Sequence, residues 1–98
     1  MAKFTVMYQS EGREGMTLEQ VQAHVDHLKD LHSKGILFLC GLLKDEQNDK
    51  ALLILETGSM EEAEQYVAKD PLIILKYYQY TITELIEANP ANNFLLVE

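Results

Sequence analysis

The stretch ILFLCGLLKDEQNDKALLILE, residues 36–56, predicts the centre of the fold. Two short apolar runs, residues 36–43 and 51–56, flank a polar loop that carries acidic and amide side chains. Short apolar runs bounded by turn-forming residues are typical of buried β-strands. We therefore predict a β-hairpin here.

A strand and a helix precede this hairpin. Side chains of KFTVMYQ, residues 3–9, alternate with a period of two, as in a strand. Thr17 and Gln20 have the spacing of a capping box, in which side chains satisfy free backbone N–H groups at a helix start. We predict a helix over residues 18–34, because Gly35 readily adopts the left-handed conformation that follows many helices.

A second helix and a last strand follow the hairpin. Ser59 and Glu62 repeat the capping-box spacing, and Pro71 ends the helix because it forces the preceding residue out of the helical region. The next letters, LIILK, fit one extra helical turn. Residues 77–85 are rich in β-branched and aromatic side chains, which favour a final strand.

The predicted order is β-α-β-β-α-β, the split βαβ arrangement of ferredoxin-like α+β proteins, with one antiparallel sheet and both helices on one face. A chain of 98 residues has the length of one small domain. We predict a single domain over residues 1–98, with its core in residues 3–85 and a C-terminal extension in residues 86–98. It stays open whether the extension adds a strand, lengthens an interface or exchanges with a partner chain.

Both faces of the predicted sheet are apolar. Strands with one face in water alternate apolar and polar residues, whereas the runs 36–43 and 51–55 are apolar throughout. Two helices can cover only one face, so we predict a homodimer whose sheets pack face to face. The alternative is that these runs are edge segments with unusually many apolar residues.

Charge and composition exclude several classes of partner. Sixteen acidic against eight basic residues give a formal charge of −8, and such a surface repels phosphate backbones and anionic lipid headgroups. We predict no nucleic-acid and no membrane partner. No apolar stretch resembles a signal peptide or approaches the length of a membrane span, which predicts a cytoplasmic protein. The single cysteine, Cys40, lies in an apolar run and is predicted to be a small core residue.

All three histidines lie within AHVDHLKDLHSKG, residues 23–35. At about 100° per residue, His32 falls in the apolar stripe of the helix and is predicted to be a core residue. His27 points about 120° away from the stripe and is predicted to be solvated. His24 lies at the edge of the stripe, where an imidazole can be half-buried and still reach a cavity, as a general acid or base requires. The apolar stripe against which these three positions are compared consists of Leu18, Val21, Val25 and Leu28.

A metal site is not predicted. A zinc site needs three or four converging ligands. His24 and His27 have a suitable helical spacing, but His32 lies a turn further on and Cys40 belongs to another element. The sequence contains no glycine-rich phosphate loop and no nucleophilic serine motif. We therefore predict neither a metal nor a cofactor.

Asp70 is the candidate partner of His24. It lies where the second helix is predicted to end, and a carboxylate there is electrostatically unfavourable because it opposes the helix dipole. A role in function is one explanation for a carboxylate at this position. The alternative is that Asp70 and Pro71 form a common helix stop in which the carboxylate bonds the backbone downstream.

The segments AHVDHLKDLHSKGILFLCG and SMEEAEQYVAKDP resemble the YciI-like (YCII-related) family of small dimeric α+β barrel proteins, related in fold to muconolactone isomerase. The resemblance runs over residues 3–85. Family members carry a proposed active site of a histidine and an aspartate, so the resemblance implies that His24 and Asp70 reach one pocket near a dimer interface. The chain has Val21 where an arginine is frequent and Leu42 where a proline is frequent. These departures leave open a different substrate or a lost activity.

The chemistry expected of such a site is proton transfer. Asp70 would accept a hydrogen bond from one imidazole nitrogen of His24, leaving the other as general base or acid. Tyr8 is expected to stabilise a developing oxyanion through its hydroxyl, although its ring alone would also suit the core. We predict a cofactor-independent enzyme of isomerase, lyase or dehydrochlorinase type that acts on a small organic molecule.

Two other functions stay open. In the first, the same pocket binds a small molecule without catalysis. In the second, related through the fold class alone, the protein handles haem or acts as an oxygenase, with His24 as an axial ligand of the haem.

Overall fold

The computed structural model describes residues 1–96 and confirms the predicted order of elements, with the extra turn as a third helix. The elements are β1 (Ala2–Ser10), α1 (Leu18–Ser33), β2 (Leu37–Leu43), β3 (Lys50–Thr57), α2 (Met60–Ala68), α3 (Pro71–Ile74) and β4 (Tyr78–Leu85). Within the described residues, no helix is both long enough and apolar enough to cross a bilayer.

The four strands form one antiparallel sheet in the order β2-β3-β1-β4. This is the predicted ferredoxin-like α+β arrangement. The helices cover one face of the sheet, and there the core side chains of the strands are almost fully buried. They are Phe4, Val6 and Tyr8 of β1, and Leu53 and Leu55 of β3. Ala63 and Val67 of α2 pack against this cluster.

The other face of the sheet, called the open face below, is not covered by any element within residues 1–96. Its central side chains are half-buried or exposed and mostly apolar. They are Thr5 and Met7 of β1, Leu52 and Ile54 of β3, and Leu39 of β2. This surface fits the prediction that a partner covers the second face, but the partner itself stays a prediction.

The helix ends follow the predicted local signals, except that one predicted hydrogen bond forms with a different partner. The Thr17 hydroxyl accepts from the Gln20 N–H at 3.1 Å, and the Gln20 side chain accepts from the Thr17 N–H at 2.9 Å. Gly35 has φ +73, as predicted for the residue that ends α1. At the start of α2, Ser59 caps the N–H of Glu62, but the Glu62 carboxylate binds the Gly58 N–H instead of completing a box with Ser59.

The buried side of α1 differs from the predicted stripe. Leu31 is 1% exposed, whereas Leu18 is 88% exposed and His32 is also exposed. The prediction that His32 is a core residue is therefore wrong. α1 packs against α3 and β2, and the contact between His24 and Asp70 turns the histidine edge of the helix inward. Of the predicted stripe, Leu28 packs against the core, whereas Leu18 and Val21 are exposed.

The prediction that Cys40 is a core residue is also wrong. Cys40 is exposed because β2 is an edge strand that pairs only with β3. Within β2, only Leu37 is buried. A local sequence pattern does not report whether a strand lies at the centre or at the edge of a sheet.

The C-terminal extension does not add a strand within the described residues. Pro90–Leu95 forms a short 3₁₀ segment, which Asn89 caps through its side chain. Phe94 in this segment is 64% exposed. The last two residues of the predicted extension, Val97 and Glu98, lie outside the described residues.

Candidate functional site

His24 and Asp70 are in direct contact. His24 lies in the second turn of α1, and Asp70 lies between α2 and α3, 46 positions later in the chain. Nδ1 of His24 lies 2.9 Å from Oδ1 and 2.8 Å from Oδ2 of Asp70. The sequence prediction named these two residues as partners, and the fold brings them together.

Asp70 is fully buried, and both its oxygens accept further hydrogen bonds. The Tyr8 hydroxyl donates to Oδ2 at 2.7 Å, and the Leu72 N–H donates to Oδ1 at 2.9 Å. The second bond caps α3, with Pro71 at the first helical position. The helix-stop role and the contact with His24, which were alternatives in the sequence, therefore coexist in one carboxylate.

The hydrogen bonds around Asp70 favour its charged form. Burial by itself raises the pKa of this carboxyl, but the hydrogen bonds from His24 and Tyr8 outweigh burial and hold the pKa below its ordinary value of 3.8. An ionised carboxylate can only accept hydrogen bonds. Nδ1 of His24 must therefore carry a proton, and in the neutral ring the lone pair lies on Nε2.

Tyr8 belongs to β1 and is 2% exposed. Burial raises the pKa of its hydroxyl, and the negative charge of Asp70 raises it further, so the hydroxyl stays protonated. This one proton is donated to Asp70. A tyrosine hydroxyl has a single proton to donate, so in this arrangement it holds the carboxylate. The oxyanion role of Tyr8 stays a prediction.

A cavity of about 200 Å³ adjoins His24. Its walls are mainly apolar and include Leu28, Cys40, Leu42, Ala51 and Leu53. Tyr8 also contributes to the wall, and among residues 1–96 no acidic side chain lines the cavity. Within residues 1–96, Nε2 of His24 has no hydrogen-bond partner. The arrangement can accept or deliver a proton at Nε2 while Asp70 stabilises the charged ring.

Residues 1–86 match the family model described as the YCII-related domain. The chain belongs to this family. The match includes all four strands and the three helices described above, and it confirms the resemblance inferred from the sequence. The 3₁₀ segment of the YCII-related chain lies beyond the matched residues.

Two solved structures share the fold of this YCII-related protein. One is 5-chloro-2-hydroxyhydroquinone dehydrochlorinase (TftG) from Burkholderia phenoliruptrix AC1100 in complex with 2,5-dihydroxybenzoquinone, with 18% identity, a TM-score of 0.57 and coverage of 85% of this chain and 93% of that chain. The other is SnoaB, a cofactor-independent oxygenase from Streptomyces nogalater, with 8% identity, a TM-score of 0.50 and coverage of 90% and 93%. At these identities the likeness shows the fold alone. No curated protein sequence matches the chain.

The other two histidines of the YCII-related chain lie outside this contact. His27 was predicted to be solvated, but it is half-buried and its Nε2 donates to the Tyr66 carbonyl at 2.9 Å. That prediction is wrong because α2 packs close to the histidine edge of α1. In the part of the chain that the structure describes, no group of three or more His, Cys, Asp or Glu side chains is arranged to hold a metal ion.

The sequence did not reveal the walls of the cavity. A register shift between Leu37 and Leu39 places Cys40 and Leu42 on the same face of the sheet as Tyr8. No pattern in the apolar run marks this shift. The Leu72 N–H was also not named as a ligand of Asp70, although the Asp-Pro pair is a signal for such a bond.

Proposed function

We propose that this YCII-related protein is a cofactor-independent enzyme in which His24 and Asp70 transfer protons on a small organic molecule. One observation supports this most: Nε2 of His24 has no partner within residues 1–96 and its ring lines a cavity, while Nδ1 is held by a buried carboxylate. Three donors around Asp70 pre-organise the pair before any ligand binds.

The proposed step begins with a neutral His24 ring. Nε2 accepts a proton from an acidic C–H or O–H group of the bound molecule, and Asp70 stabilises the resulting imidazolium. The electron pair of the broken bond passes into the conjugated system of the substrate. In an isomerisation, His24 returns the proton to another atom. In the dehydrochlorination of a chlorinated hydroquinone, His24 returns the proton of one hydroxyl to the chlorine-bearing carbon. A second hydroxyl then loses its proton to water, and its electrons expel chloride with the bonding pair.

The proposed roles differ among the three site residues. His24 is the catalytic residue because its Nε2 would touch the reacting atoms. Asp70 and Tyr8 are positioning residues: the carboxylate orients the imidazole, and the hydroxyl holds the carboxylate. The proton of Tyr8 is directed at Asp70, which supports the positioning role, and the oxyanion role of Tyr8 stays a prediction.

Chloride release from 5-chloro-2-hydroxyhydroquinone tests this proposal. Elimination of HCl from this compound leaves a hydroxybenzoquinone and needs no oxidant, so the reaction can be run without oxygen and followed with a chloride electrode. We expect the wild-type protein to release chloride and the His24→Gln variant to match the rate of buffer alone, because glutamine has no basic nitrogen.

His27→Gln is the matched control. It removes a histidine of the same helix that contacts the Tyr66 carbonyl rather than Asp70, and it should keep the wild-type rate. Equal chloride release by wild type and His24→Gln would contradict the catalytic role. Binding of the compound by both proteins without chloride release would favour the non-catalytic binding module.

We also propose that the chain forms a homodimer through the open face. The support is the half-buried apolar side chains at the centre of this face, including Met7, Leu52 and Ile54. Sheets with apolar faces bury them by stacking about 10 Å apart. Tyr8 and Leu53, which line the cavity beside His24, have their side chains on the helix-covered face, and Leu52 of the open face also lines this cavity. The proposed interface would therefore border the cavity.

Ile54→Lys tests the dimer. We expect wild-type protein to sediment as a dimer at micromolar concentration and the variant to dissociate, with a dissociation constant higher by about 30-fold or more, because a central interface residue contributes roughly 2 kcal/mol. Gln65→Lys adds the same charge on the exposed side of α2 and should leave the dimer intact. A wild-type protein that sediments as a monomer would contradict the proposal.

A further inference from the structure

The cavity beside His24 adjoins a second hollow. This neighbouring groove has a volume of about 300 Å³ and runs between α1 and β2. Leu28 and Cys40 line both the cavity and the groove, so the two spaces are neighbours that share these side chains. The remaining wall residues of the groove are Val25, Lys29, His32 and Leu37.

The groove exists because of the orientation of α1. Leu28 packs against the edge of the core, and both Val25 and Leu28 are only half-buried. The facing strand β2 is an edge strand, and Cys40 on it is exposed. The region between the cavity and the groove is therefore apolar on both walls, and an apolar part of a ligand would bury surface there that the chain leaves in water.

The far end of the groove has the opposite electrostatic character to the whole chain. The chain has a formal charge of −8, yet no acidic residue within residues 1–96 lines the cavity or the groove. Lys29 and His32 are three positions apart on α1, so their side chains are neighbours on the helix surface. Within residues 1–96 neither makes an ion pair, whereas Lys34 on the same helix pairs with Asp30 at 2.8 Å.

We propose that the ligand is an elongated anion, in which a reactive ring or double bond lies beside His24 and a carboxylate lies between Lys29 and His32. Positions 24 and 32 are about 12 Å apart along a helix at 1.5 Å per residue, which sets the scale of the molecule. The middle of the ligand is apolar and crosses Leu28 and Cys40. The identity of the reacting end rests on the proposed function; the anion site does not.

Calorimetric titration with 4-hydroxycinnamate and its methyl ester tests this inference. The two probes share a flat, apolar body and differ in the carboxylate charge. We expect the wild-type protein to bind the acid about 2- to 5-fold more tightly than the ester, the range for an ion pair at an exposed lysine. In a Lys29→Gln/His32→Gln variant this ratio should fall to about one, with ester binding unchanged.

Lys34→Gln is the matched control, because Lys34 lies on the same helix but contacts Asp30 outside the groove. It should keep the wild-type preference for the acid. Equal binding of acid and ester by wild type, no binding of either probe, or an acid preference that survives the double substitution would each overturn the inference. Failure of chloride release with an intact acid preference would overturn the proposed catalysis while leaving the anion site in place.

Discussion

Replacing Asp70 by alanine is expected to destabilise the fold by about 3–5 kcal/mol, because the donors that bind the carboxylate are left unsatisfied at about 1–3 kcal/mol for each buried group. The carboxylate is fully buried. Without it, the Tyr8 hydroxyl and the Leu72 N–H lose their acceptor inside the protein, and α3 loses its cap. Urea unfolding at neutral pH measures this loss as a lower midpoint at unchanged slope.

The matched variant Asp70→Asn separates stability from chemistry. Asparagine has nearly the same shape and keeps one acceptor oxygen, but its amide nitrogen faces a donor. We expect a smaller destabilisation, about 1–3 kcal/mol, and a rate of proton transfer lower by about 10²–10⁴ because Nδ1 of His24 is no longer held protonated. A loss of stability below about 1 kcal/mol in Asp70→Ala would contradict the role assigned to this carboxylate.

The lowered pKa of Asp70 also predicts how the free energy of unfolding changes at acid pH. The pKa of this carboxyl in the folded chain lies below its ordinary value of 3.8. The stabilisation is therefore fully present above pH 3.8 and is lost as the pH falls below it, because the unfolded chain then takes up a proton that the folded chain resists. Thermal unfolding between neutral and acid pH should show a smaller decrease below pH 3.8 for Asp70→Asn than for wild type.

Replacing Tyr8 by phenylalanine is expected to cost about 1.5–3 kcal/mol at neutral pH, the range for a hydrogen bond to a charged group. The same change should alter how the free energy of unfolding depends on pH under alkaline conditions. Burial and the Asp70 charge raise the pKa of the Tyr8 hydroxyl above its ordinary value of 10.0. Above pH 10.0 the unfolded chain loses this proton while the folded chain retains it, so wild-type stability falls with rising pH.

The contribution of Tyr8 to this decrease is about 1.4 kcal/mol per pH unit, the free energy that corresponds to one unit of pKa. Phenylalanine has no proton to lose, so the difference in stability between wild type and Tyr8→Phe should be constant from pH 7 to 9 and shrink above pH 10.0. The pH range in which this difference is constant measures the lost hydrogen bond alone and serves as an internal control. Parallel curves over the whole range would contradict the buried, protonated state of Tyr8.

The candidate pair could be predicted because each member has a local signal. The capping box at Thr17 sets the phase of α1, and this phase places His24 at the edge of the apolar stripe. Pro71 sets the end of α2 and leaves Asp70 in an extended conformation, in which its side chain can contact other elements. Both signals act over a few residues, which is the range that a sequence pattern reports.

The degree of burial of each histidine could not be predicted in the same way. Periodicity placed His32 inside and His27 outside, whereas His32 is exposed and His27 is half-buried and bonded to the Tyr66 carbonyl. The side of a helix that becomes buried depends on the elements that pack against it. For α1 these are α3, the edge strand β2 and, at His27, α2, and their positions follow from contacts between distant parts of the chain.

The sequence by itself determined the order of strands and helices and the ends of the helices, because hydrophobic period, capping and proline geometry act locally. The pairing of His24 with Asp70 was inferred from the family resemblance. Only the tertiary structure decided that Tyr8 also binds Asp70 and that a groove lined by Lys29 adjoins the cavity beside His24. Those contacts join residues up to 62 positions apart. They depend on strand order, a register shift and the rotation of α1, none of which a local pattern encodes.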